Sequence, residues 1–434
     1  MTYEQALDYI HSVNTAFCKP GTDRIRALCG ALGNPQDKLR FVHVAGTNGK
    51  GSFCAMLTSI LTAAGYRTGR FTSPYVRSFC ERIAIGDTSI PAERLVALVE
   101  RVRPAVDAME DKPTEFELIT ALGFLYFVEE NCDVVVLECG LGGRLDATNL
   151  ITTSILSVIT GIALDHTAYL GDTTAAIARE KAGILRRGVP LLWCGEDPDA
   201  DRVICEEAAR VGAPLSTVDF TSLSIRSATL AGTVLDYKQY RALSLPLLGA
   251  YQPKNAAHVL SAVELLRTAG WEVSEDAVRR GLALTVWHAR FELLCTEPTV
   301  LADGGHNPEG VAAAVESVRT YFGERRILIL SGLMADKDYG VMADCIADIA
   351  AEVFCVTPAN PRSLPAADYA KEFSRRGISA TAYPTVQEGV FAAVNAAKER
   401  DLPLLCLGSL YLYGEFCDAL EACFPRRTDK KELI

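Results

Sequence analysis

The chain has 434 residues, of which 49% are hydrophobic, and its formal net charge at pH 7 is -11. This length is enough for two hydrophobic cores, so we expect two domains. The acidic balance excludes binding that depends on a basic surface, such as non-specific binding to nucleic acid or to anionic membranes. No apolar run reaches the ~18 residues that cross a bilayer, and the N-terminal residues lack the pattern of a secretory signal. We therefore expect a soluble, cytoplasmic protein.

The fourteen cysteines are scattered along the chain, and many lie inside apolar segments. No CxxC pair occurs, so the spacing does not favour a zinc site or a disulfide framework. We interpret the cysteines as buried free thiols.

The chain begins with two amphipathic segments and then reaches its first strand. Residues 3–13 and 24–32 carry apolar side chains at helical spacing. A short β-branched run begins at Val42, passes through three glycines around one lysine, and enters an apolar pattern of helical spacing near Met56. This order predicts a strand, a glycine-rich loop and a helix.

The first glycine-rich loop, Gly46-Thr47-Asn48-Gly49-Lys50-Gly51-Ser52, has the features of a phosphate-binding loop. Glycines let backbone N–H groups converge, the following helix adds its positive end, and Lys50 adds a full charge. The spacing departs from the common form GxxxxGK[ST], because Gly51 separates Lys50 from Ser52 and position 44 is valine. A plain glycine turn is the alternative, but it gives no packing reason for a lysine between two glycines. The pattern predicts a phosphate loop of variant type.

Strands and helices alternate after this loop. The predicted strands are 67–71, 132–138, 154–159 and 189–193, and the predicted helices are 91–108, 114–129 and one that carries Lys181. The run from Cys132 is continuously apolar up to Glu138, except for Asp133, as is typical of a strand buried on both faces. This alternation predicts a doubly wound, mostly parallel α/β sheet, whose functional groups lie at the carboxyl ends of the strands.

Candidate metal ligands follow these strands. Ser73, Glu138 and a loop residue near Lys50 offer the oxygen atoms that Mg²⁺ takes beside a nucleotide triphosphate. Glu138 has an alternative as the salt-bridge partner of Arg144, and a lone histidine such as His166 is most often a structural hydrogen-bonding group. Both interpretations stay open from the residues alone.

Several other polar residues have an ordinary structural explanation. Glu138 leads into a second glycine-rich loop, residues 140–146. Lys181 follows Glu180 on a predicted helix, where a surface lysine paired with a glutamate is the usual arrangement. Asp303 and His306 fit a helix cap or a loop.

The second half of the chain contains a hairpin and a further α/β region. Residues 215–245 alternate loosely and predict an antiparallel hairpin, which is followed by helices to about 269 and near 275–284. The apolar periodicity resets around 292–298, so we predict two domains, residues 1–294 and residues 295–434. The predicted strands of the smaller second domain are 299–303, 326–332, 352–357 and 402–408.

Together these motifs resemble the folylpolyglutamate synthase and dihydrofolate synthase family, within the Mur ligase superfamily of ATP-dependent enzymes that form amide bonds. The resemblance runs from near Tyr3 to about Gly414, and the variant loop is the normal form in this family. The motifs that carry it are His43–Ser52, Glu138–Asn149, Leu164–Thr167, Glu180–Ile184, Asp303–Pro308, Asp336–Asp338 and Gly408–Tyr411.

The resemblance implies an N-terminal ATP-binding domain of P-loop type, a Rossmann-like C-terminal ligase domain and an active site in the cleft between them. In such enzymes ATP phosphorylates a substrate carboxylate, and the amine of L-glutamate attacks the acyl phosphate to give an amide, ADP and phosphate. The implied cofactors are ATP and Mg²⁺, the latter at two sites. The implied acceptors are dihydropteroate, folates that already carry glutamates, or both, and we expect a monomer.

The resemblance also assigns roles by position. The implied nucleotide-binding residues are Asn48, Gly49, Lys50, Gly51, Ser52, Asn255, Arg290 and Asp303. The implied magnesium ligands are Ser73, Glu138, His166 and Lys181, the last as a carbamate that would carry negative charge. The residues that match pterin-binding segments are Thr114, Phe116, Glu117, Leu145, Asp146 and Ala147. The implied catalytic residues are Lys50, Lys181 and His306.

Two departures from the family pattern concern the folate side. The segment after Ser73 usually reads Pro-His-Leu, and here it is Pro74-Tyr75-Val76. Glu115 stands where the pterin segment usually has the first of two aromatic residues. The choice of acceptor therefore stays open, and a Mur-type ligase for another acid and a nucleotide-binding module without catalysis are the alternatives.

Overall fold

The computed structural model of the chain describes residues 1–13, 21–195 and 197–424. The chain divides into two compact units, each assembled from segments that are separate in sequence. The first unit contains Met1–Ser224, Asp236–Leu243 and Lys254–Val286, and the second contains Ile225–Leu235, Ser244–Pro253 and Trp287–Ile434. The division of the chain at residues 294 and 295 stays a prediction. The charged tail at 426–431, to which the sequence gives no role, lies outside the described residues.

The helices and strands are numbered in chain order. The helices are α1 (Tyr3–Ser12), α2 (Asp23–Ala31), α3 (Lys50–Ala63), α4 (Ala92–Ala108), α5 (Glu115–Glu129), α6 (Thr167–Leu170), α7 (Thr174–Lys181), α8 (Pro198–Val211), α9 (Gln252–Thr268), α10 (Glu275–Ala283), α11 (Pro308–Phe322), α12 (Tyr339–Ala347), α13 (Ala366–Arg375), α14 (Val386–Arg400) and α15 (Leu410–Cys423). The strands are β1 (Phe41–Ala45), β2 (Thr68–Phe71), β3 (Ile83–Ile85), β4 (Thr88–Ser89), β5 (Val134–Glu138), β6 (Ser154–Ile159), β7 (Leu191–Trp193), β8 (Leu215–Thr217), β9 (Leu223–Thr229), β10 (Gly232–Tyr237), β11 (Tyr240–Leu245), β12 (Glu292–Thr296), β13 (Thr299–Asp303), β14 (Ile327–Ser331), β15 (Ala350–Cys355), β16 (Ala380–Ala382) and β17 (Leu404–Leu407).

The main sheet of the first unit has eight strands in the order β4-β3-β2-β5-β1-β6-β7-β8. Neighbouring strands from β2 to β8 are parallel, and β3 and β4 pair antiparallel at one edge. Every residue of β1 and β5 is buried, as expected for central strands covered on both faces. The chain passes from β5 on one side of β1 to β6 on the other, so the loops after these strands meet at a topological switch point. The doubly wound sheet predicted from the sequence is confirmed.

Local chemistry fixes the helices around this switch point. Helix α5 begins with a capping box, in which the Thr114 hydroxyl accepts from the Glu117 N–H and the Glu117 carboxylate accepts from the Thr114 N–H. Its aromatic side chains enter the core beside the sheet, where the rings of Phe124 and Phe41 lie 5.6 Å apart. Helix α3 begins directly in the first glycine-rich loop and is buried from Gly51 onward for three turns. The loop is therefore held between a central strand and a buried helix.

The second unit contains a six-stranded sheet in the order β12-β13-β17-β14-β15-β16. Strands β13 to β16 of this sheet are parallel to their neighbours, while β12 pairs antiparallel with β13. Helices α11 to α13 contribute to its core. This arrangement confirms the smaller α/β unit expected from the sequence. A separate sheet, β11-β10-β9, corresponds to the predicted hairpin but has three strands.

The short elements at the sheet edges were not predicted from the sequence. Strands β3, β4, β8 and β16 have two or three residues each, which is too short for a visible alternation. Strand β12, which lies where the apolar periodicity resets, and helix α8 were not predicted either. In the described part of the chain the cysteines are free thiols, as predicted. No described helix has both the length and the apolar character needed to cross a membrane.

Candidate active site

The first glycine-rich loop turns sharply at two glycines. Gly46 has a φ angle of 152°, and a Cβ there would lie 1.8 Å from Oγ1 of Thr160, which follows β6. Gly49 has a φ angle of 88°, and a Cβ there would lie 2.9 Å from Oδ1 of Asn255. Only glycine combines these angles with such close neighbours. The structure thus brings Asn255, a predicted nucleotide-binding residue, onto the predicted phosphate loop.

Two lysines converge on this loop from different elements. Nζ of Lys50 donates to the backbone oxygens of Gly46 and Thr47 at 3.1 Å each. Nζ of Lys181, at the end of α7, donates to the same Gly46 oxygen at 2.8 Å. Burial, followed by the nearby charge of Lys50, lowers the pKa of Lys181 to about 7. A substantial fraction of Lys181 is therefore an uncharged amine at neutral pH, and the surface ion pair expected from sequence physics does not describe this buried side chain.

Glu138 lies beside Lys50 and Ser73 at the carboxyl end of β5. One carboxylate oxygen of Glu138 lies 3.8 Å from Nζ of Lys50, and the other accepts from the Ser73 N–H at 3.2 Å. The Glu138 side chain is only 4% exposed, so its charge is offset by this cation and donor rather than by bulk water. The alternative partner of Glu138, Arg144, instead lies 3.5 Å from Glu180.

The chemistry of this donor set fits a magnesium ion that also takes water and phosphate oxygens. The Ser73 hydroxyl and the Glu138 carboxylate offer hard oxygen atoms, and they lie at the ends of the neighbouring strands β2 and β5. In the part of the chain that the structure describes, no group of three or more His, Cys, Asp or Glu side chains forms a metal cage of its own. Two protein oxygens beside a phosphate loop match the usual coordination of Mg²⁺, which has few protein ligands and retains several water ligands.

His166 occupies the turn before α6. Its backbone is left-handed, with φ at 50°, and its side chain is about half exposed. Nε2 of His166 lies 4.0 Å from a carboxylate oxygen of Asp165, whose charge also raises the pKa of Lys181 against the effect of burial. The loop after β6 therefore contributes Asp165 as well as the predicted His166.

The second glycine-rich loop is organised around Asp146. Its carboxylate accepts from the Leu141 N–H at 2.8 Å and from the Thr148 N–H at 2.9 Å. Burial raises the pKa of Asp146, and these hydrogen bonds oppose that shift. Leu145 is 48% exposed, whereas Ala147 is buried. Of the three residues predicted to hold a pterin, Leu145 is the one that presents an open apolar surface.

The start of α5 packs against this loop. A Cβ on Gly140 would lie 2.5 Å from the ring of Phe116, so that ring lies directly over the loop backbone. Glu117 is buried, and besides its capping bonds it accepts from Nε of Arg24 at 3.0 Å. The predicted pterin segments are thus neighbours, although Glu117 already has structural partners.

The two departures from the family pattern are neighbours of one arginine. The guanidinium of Arg82 lies 5.1 Å from the ring centre of Tyr75. It also lies 4.0 Å from Glu115, which pairs with His11 at 3.0 Å. Glu115 therefore makes partly exposed ionic contacts with Arg82 and His11.

In the second unit, the remaining predicted residues lie around Asp303. Its carboxylate accepts from the Tyr251 hydroxyl at 2.7 Å, the Phe291 N–H at 2.8 Å and the Gly305 N–H at 2.7 Å. Burial raises the pKa of Asp303, and the charge of Arg290 opposes this shift. Nδ1 of His306 donates to the Gly304 oxygen at 2.9 Å. Arg290, Asp303 and His306 therefore belong to one cluster within this unit.

Several residues that shape these sites were not predicted from the sequence. Thr160 donates to the Asn48 oxygen at 2.7 Å and so fixes the phosphate loop. Tyr251 supports Asp303, and its place directly before the helix that carries Asn255 was an available signal. Thr160 had no such signal beyond its position after a buried strand.

Comparisons with known proteins agree with this geometry. Family models match residues 44–263, as the Mur ligase middle domain, and residues 289–410, as the glutamate ligase domain of Mur ligases. The chain is 37% identical to the folylpolyglutamate synthase of Lacticaseibacillus casei over 425 residues, which is 95% of this chain and 97% of that protein. It is 37% identical to the dihydrofolate synthase/folylpolyglutamate synthase of Bacillus subtilis over 424 residues, 95% and 98% of the two chains.

A solved structure of Mycobacterium tuberculosis folylpolyglutamate synthase, complexed with ADP and AMPPCP, is similar with a TM-score of 0.87. The two chains are 30% identical, and the match covers 98% of this chain and 99% of that one. Sequence and fold agree over nearly the whole length of these relatives. The chain therefore belongs to the folylpolyglutamate synthase and dihydrofolate synthase family of ATP-dependent Mur ligases.

Proposed function

We propose that this ligase adds L-glutamate to dihydropteroate, to folates that already carry glutamate, or to both. The observation that carries the proposal is the convergence of Lys50 and Lys181 on the Gly46 carbonyl, with Glu138 beside them. A structural glycine turn has no need for two lysine side chains bound to its backbone carbonyls. The names of the relatives and the glutamate ligase domain support glutamate and a pteroate-type acid as substrates.

The reaction follows from the charges that this site can offset. The acceptor carboxylate attacks the γ-phosphorus of ATP and ADP leaves; the glutamate amine then attacks the acyl carbon and phosphate leaves. Lys50 would exchange its two carbonyl partners for phosphate oxygens and offset the charge that develops there. The first N–H groups of α3, from Lys50 to Ser52, would cradle the triphosphate together with Asn48 and Gly49.

We assign magnesium to Ser73, Glu138 and His166. A bound magnesium ion would supply positive charge to the phosphate oxygens during transfer. Glu138, the Ser73 hydroxyl and His166 would hold this ion, and the Ser73 N–H would also fix the Glu138 carboxylate. A second ion would need a further anionic ligand, which Lys181 could supply only as a carbamate.

Carbamylation of Lys181 is consistent with its surroundings. The reaction joins the uncharged amine to CO₂ and releases one proton, so an amine with a pKa of about 7 is available at neutral pH. The product is an anion, which would reverse the present repulsion between Lys181 and Lys50 into attraction. We therefore keep Lys181 as a proposed catalytic and metal-binding residue.

The remaining roles are proposed from the resemblance together with the local geometry. Thr114, Phe116, Glu117, Leu145, Asp146 and Ala147 form the acceptor side, and Asn255, Arg290, Asp303 and His306 serve the nucleotide and catalysis. We also propose an ATP-binding domain at 1–294, a ligase domain at 295–434, a monomeric enzyme and a cytoplasmic location.

The decisive experiment measures acceptor-dependent phosphate release. Purified protein with ATP, Mg²⁺ and L-glutamate is assayed with dihydropteroate, with a reduced folate monoglutamate, or with neither. Release with one or both acceptors, and its loss when Mg²⁺ is chelated, is the expected result. No acceptor-dependent release across this panel would contradict the proposal, and release with another carboxylic acid would favour a different Mur-type ligase.

A further inference from the structure

A buried hydrogen-bonded network of four side chains lies behind the second glycine-rich loop. Nε2 of His43, in β1, lies 2.8 Å from Oγ1 of Thr148, and that oxygen lies 2.5 Å from Oδ1 of Asp146. Sγ of Cys139 lies 3.1 Å from the same histidine nitrogen. All four residues are at most 5% exposed. This network therefore connects the strand before the phosphate loop to the loop that follows β5.

The direction of the hydrogen bonds in this network follows from the chemistry of its groups. Ionised Asp146 can only accept, so the single hydroxyl hydrogen of Thr148 points to it. The Thr148 oxygen then accepts from His43, which places the ring hydrogen on Nε2. Nδ1 of His43 has no partner among the described residues, and a buried unpaired acceptor is less costly than a buried unpaired N–H. Burial lowers the pKa of His43 to about 3, so the ring stays neutral.

The carboxylate of Asp146 is directed into its own loop. It accepts from the Thr148 hydroxyl and from the N–H groups of Thr148 and Leu141. A carboxylate has about four acceptor positions, so these three donors occupy most of them. Asp146 thus holds the loop from inside.

The loop held in this way also touches the helix that ends at Lys181. The Arg144 N–H donates to the Glu180 oxygen at 2.9 Å. The Asn149 amide donates to the Arg144 oxygen at 3.0 Å and to the Gly183 oxygen at 3.1 Å. The second loop therefore has an exposed acceptor side and a side that is bonded to the backbone next to Lys181.

We propose that His43 and Thr148 are positioning residues of the ligase, which act through Asp146 to hold the second glycine-rich loop in the shape that receives the acceptor acid. Asp146 then shapes the loop through its bonds to the loop backbone. The identity of the acceptor rests on the proposed function, whereas the stabilisation of the loop is a property of the free protein.

The test uses a variant that removes one hydroxyl group and keeps side-chain volume. Thr148→Val retains the backbone N–H to Asp146 but loses the link to His43, while Thr148→Ser retains the hydroxyl. Thr58→Val is the matched control, because Thr58 is a fully buried threonine of the same unit whose hydroxyl has no partner in the described structure.

Two measurements are made on each folded variant. Limited trypsin digestion follows cleavage after Arg144, and steady-state kinetics give KM for the acceptor and for ATP separately. We expect Thr148→Val to accelerate this cleavage and to raise the acceptor KM, each by about tenfold, with the ATP KM changed less than about twofold. Thr148→Ser should keep the cleavage rate and the acceptor KM within about threefold of the wild-type values, and Thr58→Val should leave both unchanged.

The two measurements separate this inference from the proposed function. If wild-type protein ligates but Thr148→Val shows wild-type cleavage and acceptor KM, the inference is overturned. An equal rise in both KM values would also overturn it, since that indicates general damage. If wild type ligates no pteroate or folate, the proposed function fails, and digestion alone decides whether the loop is held by this network.

If Thr148→Val does not fold, His43→Phe replaces it, because this variant removes the Nε2 hydrogen. His43→Phe must then accelerate cleavage after Arg144, and cleavage at the wild-type rate would refute the inference.

Discussion

The two glycine-rich loops of the first unit follow neighbouring buried strands, yet they are stabilised by opposite charges. In the first loop, the ammonium groups of Lys50 and Lys181 bind backbone carbonyls. In the second loop, the carboxylate of Asp146 binds backbone N–H groups. A loop held through its carbonyls, at the start of a helix, presents N–H groups and cations to an anion. A loop whose N–H groups are already bound to an internal carboxylate is shaped before any ligand arrives.

The largest expected effect comes from removing Lys181 from the first loop. Lys181→Ala should lower ligase kcat/KM by about 10³-fold or more, because the proposed carbamate and the metal ligand that it would supply are lost. The circular dichroism spectrum should be unchanged. Lys371→Ala, which removes an exposed lysine of α13, is the control for loss of one positive charge and should keep full activity.

The same lysine also tests the proposed carbamate. Wild-type enzyme depleted of CO₂ should lose activity and regain it with bicarbonate, while Lys181→Ala should not respond. Full activity of the alanine variant, or indifference of the wild type to bicarbonate, would contradict the carbamate and leave Lys181 as a structural partner of Gly46.

An intermediate effect concerns two neutral histidines that lie behind the two loops. His258 packs against Phe53 of α3, the helix of the first loop, and His43 lies behind the second loop. Burial lowers the pKa of each to about 3. The unfolded chain, with a histidine pKa near 6.5, then binds more protons between these values. Stability is therefore lost as pH falls below about 6.5, by about 2 kcal/mol per histidine between pH 7.5 and pH 5.

Single replacements can assign this loss to each loop. Urea unfolding at both pH values should show that His258→Gln and His43→Gln each remove about 2 kcal/mol of the pH-dependent loss. His288→Gln is the contrasting variant, because His288 is half exposed and pairs with Glu292, so its replacement should not reduce the loss. A variant that keeps the full wild-type pH dependence would show that its histidine already binds a proton in the folded protein.

The sequence predicted the first loop much better than the second. Glycine spacing, a lysine without a packing role and a preceding apolar strand together indicated a phosphate loop, because these features follow from local backbone chemistry. The parallel strands were equally visible as apolar runs, and β6 and β13 were predicted with the bounds that the structure has. What these predictions share is dependence on residues close together in the chain.

The features that could not be predicted depend on residues distant in sequence. Nothing near Lys181 indicates that its ammonium group reaches Gly46, so a surface ion pair was the reasonable expectation from the residues alone. The partnership of His43 with Thr148 joins positions 105 residues apart, and the support of Asp303 by Tyr251 spans 52 residues. A one-dimensional pattern gives the residue types of such clusters but not their pairing.

The smallest expected effect tests which part of α5 matters to the second loop. Phe116 packs over Gly140, whereas the neighbouring Glu115 makes only partly exposed ionic contacts with His11 and Arg82. Such contacts contribute little, so Glu115→Gln should change the free energy of unfolding by less than about 1 kcal/mol. The acceptor KM should change less than about threefold. Asp111→Ala, at a more exposed partner of Arg24, is the control for loss of a nearby surface carboxylate. A tenfold change in the acceptor KM for Glu115→Gln alone would show that this carboxylate contacts the acceptor, and that the second loop shares acceptor recognition with the start of α5.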